Sequence, residues 1–212
     1  MQAYFLNLIA LCFVFGMPVA QSQTLDWGSL SGSTIVNSTG SPVDNTYLFQ
    51  LGAFDVGFTP TVSNHGQWTA KWHVFDTAAY SYDPLAGAYF TGSQNIQEVP
   101  AYGSLFEGLK AYLWIHDASD TQNLLASAST WTFPVQDPSC CPTGAVTDWS
   151  VSNFGTSAPI MGGQDGHDGG GIFNSSAGPY DLQTAVVPEP ASSLLALFAS
   201  GMLLLLRRRL KL

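Results

Sequence analysis

Between residues 46 and 133 the chain alternates apolar and polar positions in short stretches with a period of two. Thr46 to Ala53 sets Tyr47, Phe49, Leu51 and Ala53 on one face. Leu109 to His116 sets Leu109, Ala111, Leu113 and Ile115 against Lys110, Tyr112, Trp114 and His116. Ala128 to Phe133 puts Trp131 and Phe133 opposite Thr130 and Thr132, and Leu124 to Ser129 extends that stretch. Leu30 to Val36, Val74 to Thr77 and Ala86 to Thr91 carry weaker versions of the pattern. Aromatic and β-branched residues between closely spaced turn residues predict short strands. Six to eight of them with little helix predict an all-β fold, an antiparallel β-sandwich, over residues 23–155.

One stretch carries both periods. Gln67 to Val74 alternates, yet Trp68, Trp72, Phe75 and Ala79 also follow a helical stripe. Asn64 followed by Gln67 resembles a capping box, so a short helix is predicted from about His65 to Trp72, running into a strand near Val74. From Gly155 the character changes. The run Gly162-Gly163-Gln164-Asp165-Gly166-His167-Asp168-Gly169-Gly170-Gly171 buries little, so residues 156–186 read as a Gly-rich flexible linker, with one terminal strand near Gly171 to Asn174.

Both ends are strongly apolar. Leu8 to Val19 has the length of a signal-peptide core, and Ala20-Gln21-Ser22 offers a cleavage pattern, with cleavage after Ala20 as the alternative. Residues 1–22 are therefore read as a signal peptide, although no Lys or Arg precedes the core, and an uncleaved anchor is the competing reading. At the other end Val187-Pro188-Glu189-Pro190 leads into the uncharged residues 191–206 and then Arg207, Arg208, Arg209 and Lys211. As a helix, 191–206 would span about 24 Å, which snorkelling arginines and local thinning match to the bilayer's hydrocarbon core of about 30 Å. The basic cluster would hold the cytoplasmic side, placing the body outside the inner membrane.

This order of features resembles the PEP-CTERM protein-sorting tail, found on exported proteins of Gram-negative bacteria that make exopolysaccharide. The likeness covers residues 187–212. It implies that Pro188, Glu189 and Pro190 are recognised by an exosortase-like processing enzyme and that Arg207, Arg208 and Arg209 act as a stop cluster. It also implies that the membrane helix anchors the chain only transiently before release to the cell surface or extracellular matrix. An ordinary single-pass anchor is the alternative.

Charge narrows the partners. The chain holds 15 acidic and 6 basic residues, and charged residues make up 10% of it, against about a quarter in a typical soluble domain. Setting aside the tail leaves Lys71 and Lys110 against fourteen acids. Nucleic acid needs clustered cations and is excluded as a partner of the body.

Candidate chemistry is sparse. The row containing Tyr112 and Trp114 resembles an aromatic platform for sugar rings, unless a second sheet or the Trp68/Trp72 segment covers it. Cys140 and Cys141 remain after signal removal. Neighbouring Cα atoms lie about 3.8 Å apart where ordinary bridges want about 4.4–6.8 Å, so the alternatives are a strained turn clip, free thiols or bridges between chains. Asp165, His167 and Asp168 resemble one copy of a glycine/aspartate calcium repeat, which needs stacked copies, so no metal site is assigned. Asp117 and Asp120 lie close in sequence but lack any sign of a paired acid and base. No nucleophile elbow, metal-binding helix or phosphate loop is present, and no cofactor is expected. The reading is a non-enzymatic exported protein associated with extracellular polysaccharide. A carbohydrate-binding module is the alternative, and a glycan-active hydrolase a third.

Overall fold

The computed structural model describes residues 23–83, 87–136, 145–176 and 178–188. Cys140, Cys141, the signal segment, Glu189, Pro190, the apolar tail and Arg207, Arg208 and Arg209 lie outside these residues. The described chain is all-β and rich in antiparallel pairing. No described helix is long and apolar enough to cross a membrane.

In chain order the strands are β1 Gln23–Gly28, β2 Ile35–Val36, β3 Tyr47–Phe54, β4 Trp72–Asp83, β5 Gly87–Asn95 and β6 Tyr112–Asp117. They continue as β7 Gln122–Ala126, β8 Ala145–Ser150, β9 Gly163–Gln164, β10 His167–Asp168, β11 Leu182–Gln183 and β12 Ala185–Val186. Eight form one sheet in the order β12-β7-β6-β3-β4-β5-β1-β8, and four short ones form a second, β10-β9-β11-β2. All pairings are antiparallel except β1 with β8 and β2 with β11.

The period-two reading of β3 and β6 holds because one set of alternate residues meets a common core. Phe49, Leu51 and Ala53 of β3 and Leu113 and Ile115 of β6 are fully buried there, across the register Phe49–Ile115 and Leu51–Leu113. The large sheet curls around this core. Trp131, which follows β7 near one edge, stacks on Trp149 of β8 at the other edge, with centroids 5.2 Å apart.

The ambiguous stretch resolves into both predicted elements. A 3-10 turn Val62–Gln67 runs into the single helical turn α1, Trp68–Lys71, and β4 begins at Trp72. Asn64 caps in the opposite sense from that predicted, its Oδ1 accepting from the backbone N–H of Thr61 at 2.8 Å and from Trp68 Nε1 at 3.0 Å. Ala128 to Phe133 forms no strand, and only Lys110–Thr132 makes a bridge there.

The flexible linker predicted for 156–186 is corrected by the structure. Met161, Leu182 and Ala185 are buried to 1% exposure or less, and β9 to β12 knit this segment into both sheets. The expected strand near Gly171 to Asn174 is reduced to one bridge, Ile172 to Val186. Several of the glycines serve close approach rather than flexibility. A Cβ on Gly162 would strike the Gln183 carbonyl oxygen, and one on Gly169 that of Pro159. The Asp165-Gly166 pair, with φ of 42° and 75°, is a two-residue hairpin turn joining β9 to β10, for which Asp-Gly is a favoured sequence.

Candidate functional site

Among the described residues, those singled out from the sequence do not converge on one site. Tyr112 and Trp114 of β6 point to the opposite face from Leu113 and Ile115, as predicted, but that face is covered. Trp114 is 2% exposed, with Trp68 at 5.8 Å and Trp72 at 5.4 Å, both edge-on. The covered-face alternative therefore describes this molecule, and the expectation of an exposed aromatic platform at Tyr112 and Trp114 is corrected. Tyr112 is half-buried against Phe54, and burial pushes its phenol up from the ordinary value. The physical cause is the local fold of 62–71, which lays Trp68 across the sheet.

Behind Trp114 lies a polar cluster that the sequence did not signal. Trp114 Nε1 donates to Asn123 Oδ1 at 2.7 Å, and Asn123 Nδ2 donates to the Asp120 carbonyl at 3.0 Å. His65, 8% exposed, places Nε2 at 3.4 Å from Asp120 Oδ1, an electrostatic contact rather than a well-aligned hydrogen bond. Burial pushes the Asp120 carboxyl up, but His65, with the Asn123 side chain and His116, holds the group below the usual carboxylate range. Asp120 also takes φ of 56°, a conformation uncommon outside glycine. Asp117 faces elsewhere. Its carboxylate accepts from the backbone N–H groups of Thr121 and Gln122 and from the Ser119 and Thr121 hydroxyls. Against the upward push of burial, these donors hold Asp117 low. Asp117 is thus taken up by its own turn, while Asp120 Oδ1 faces His65 without a hydrogen-bond partner.

Asp165, His167 and Asp168 sit on the β9–β10 hairpin. Asp168 Oδ1 accepts from Tyr180 Oη at 3.3 Å. Among the described residues no group of three or more His, Cys, Asp or Glu is arranged to hold a metal ion. Lys71, one of the body's two lysines, pairs with Asp55 at 3.0 Å beside His73.

A cleft lies elsewhere, between the small sheet and the edge of the large one, with a volume of about 570 Å³. One wall is the loop Leu30–Ser33, and a second is Val151, Ser152, Gly155 and Thr156, which follow β8. Gln164, Asp165 and Asp181 of the small sheet form the third. Gln164 is 4% exposed, and its Nε2 donates to the Gly155 carbonyl at 3.2 Å while its buried Oε1 has no protein donor. Ser33 Oγ donates to the Leu30 carbonyl at 2.8 Å. Asp181 Oδ2 accepts from the Thr34 N–H at 2.5 Å, which fixes the loop to the small sheet. Among the described residues no Lys, Arg or His lines the space. Sequence reasoning missed this cleft because its walls come from three distant segments, one of which read as a linker.

Compared with known proteins, the chain matches no family, no characterised relative and no solved structure.

Proposed function

We propose that this chain is an exported, non-enzymatic protein of the cell surface or extracellular matrix of a Gram-negative bacterium. It is sorted through its C-terminal tail by an exosortase-like processing enzyme and associates with exopolysaccharide. In this reading residues 1–22 are a signal peptide, the two-sheet body is a variant of the β-sandwich, and the apolar helix 191–206 is a transient anchor.

The observation that carries the reading is the ordered tail: Pro188-Glu189-Pro190, the uncharged run 191–206 and the Arg207–Arg209 cluster. Its setting supports accessibility. Pro188 is exposed and only one residue separates it from β12, whose Ala185 is fully buried. Pro188 therefore stands exposed two residues past the last residue of β12. The carboxylate of Asp117, taken up by its own turn, supports the non-enzymatic reading.

Replacing Pro188, Glu189 and Pro190 together by alanine tests the proposal. The wild-type chain should appear in the surface or medium fraction, whereas the variant should stay with the inner membrane. Equal release of both chains would refute tail-directed sorting.

A further inference from the structure

We propose that the cleft between Leu30–Ser33, Val151–Thr156 and the small sheet binds a sugar ring that carries no negative charge. The inference deepens the matrix reading by naming the chemistry of the partner, but it rests on the cleft and not on the tail.

Its volume, about 570 Å³, lies within the range of about 300–1,000 Å³ typical of small-molecule sites. The decisive group is Gln164. A buried carboxamide oxygen without a donor is unfavourable, and Nε2 is already fixed on the Gly155 carbonyl. Both Gln164 and Gly155 line the cleft, which places this unpaired acceptor at its wall. The carboxylates of Asp165 and Asp181 add further acceptors, and both residues are exposed at the same wall.

An acceptor-rich wall selects a ligand that brings many donors. A sugar ring does so on its hydroxyls, and the serine and threonine hydroxyls of the other walls both donate and accept. The two carboxylates, with no cation among the described lining residues, repel phosphate, sulfate and uronate groups. Leu30, 64% exposed, and half-buried Val151 give an apolar flank for the ring's C–H face. A bare divalent cation fits less well, because one oxygen of Asp181 is held by the Thr34 N–H and the walls provide only two carboxylates.

The test is amide chemical-shift mapping on the full chain in detergent, with no processing enzyme present. A neutral glucose tetrasaccharide, a tetrasaccharide of uronic acids and calcium chloride are titrated in separate arms. The neutral sugar should move the amides of Gly32, Gly155 and Gln164, and the uronate should bind at least tenfold more weakly. Thr156→Trp, at an exposed wall position, should weaken neutral-sugar binding at least tenfold while leaving the melting temperature unchanged. Leu30→Asp should weaken it without filling the space. The proposal is overturned if calcium alone moves these amides, or if the uronate binds as tightly as the neutral sugar. It is also overturned if shifts map only to Tyr80 and Tyr82, or if no shift appears at about 10 mM sugar. None of these outcomes depends on the tail, so a failure of sorting and a failure of binding are read separately.

Discussion

Leu182→Ala distinguishes a structural C-terminal segment from a linker. Leu182 is 1% exposed, lies on β11 and pairs with both Ile35 and Gln164, so it sits inside the small sheet and in the main core. Truncation removes three buried carbons, about 2.4 kcal/mol at roughly 0.8 kcal/mol each. The cavity left behind raises the loss into the range of about 2–5 kcal/mol. For a chain of this size that corresponds to a fall in melting temperature of roughly 6–15 °C. Urea denaturation followed by tryptophan fluorescence measures it, with Ser175→Ala, at an exposed position, as the control. A loss below about 0.5 kcal/mol, the level of an ordinary surface substitution, would refute the packed assignment of 156–186.

Other consequences follow from the same packing. Trp114→Phe strips the donor from Asn123 Oδ1, which is fully buried, and should destabilise the fold by about 1–3 kcal/mol in urea; a neutral result would mean the covered face is not rigid. Gly166→Ala places a Cβ where it meets nothing but where φ is 75°, so a purely conformational loss of about 1–2 kcal/mol should appear in thermal melts. Asp117 and Asp120 hold protons less tightly in the folded chain than in the unfolded one. Their stabilisation is therefore complete above the unfolded carboxylate pKa of about 3.9 and drains away as pH falls through the lower folded values. Stability measured against pH should drop more gently below pH ~4 in the double variant Asp117→Asn, Asp120→Asn than in the wild type, and equal slopes would remove these groups from the account.

The central strands were legible in the sequence because each faces a continuous core on one side. Alternation at β3 and β6 is the direct imprint of Phe49, Leu51, Leu113 and Ile115 meeting that core. The helix-to-strand change at Trp72 was also legible, since Trp68 and Trp72 serve both periods: both rings lie edge-on to Trp114. What failed were inferences from composition. The glycine-rich stretch looked unable to pack, yet several of its glycines are where other backbone approaches too closely for a side chain. Asp165-Gly166 was weighed as metal chemistry although the same dipeptide is a strong hairpin signal. The aromatic row at Tyr112 and Trp114 lies on the face that period two gives, and of its two readings the cover by the Trp68/Trp72 segment is the one found. The cleft was invisible for a related reason: Leu30, Val151 and Gln164 are brought together only by the pairing of β1 with β8 and of β2 with β11.

The central claim is that the tail is a sorting signal and not a permanent anchor. Mass spectrometry of the chain's C-terminus, recovered from cells with and without an exosortase-like enzyme, tests it most directly. The account predicts a C-terminus at or near Pro188-Glu189-Pro190 when the enzyme is present, with Arg207, Arg208 and Arg209 lost, and an intact chain ending at Leu212 when it is absent. An intact Leu212 in processing-competent cells would contradict it.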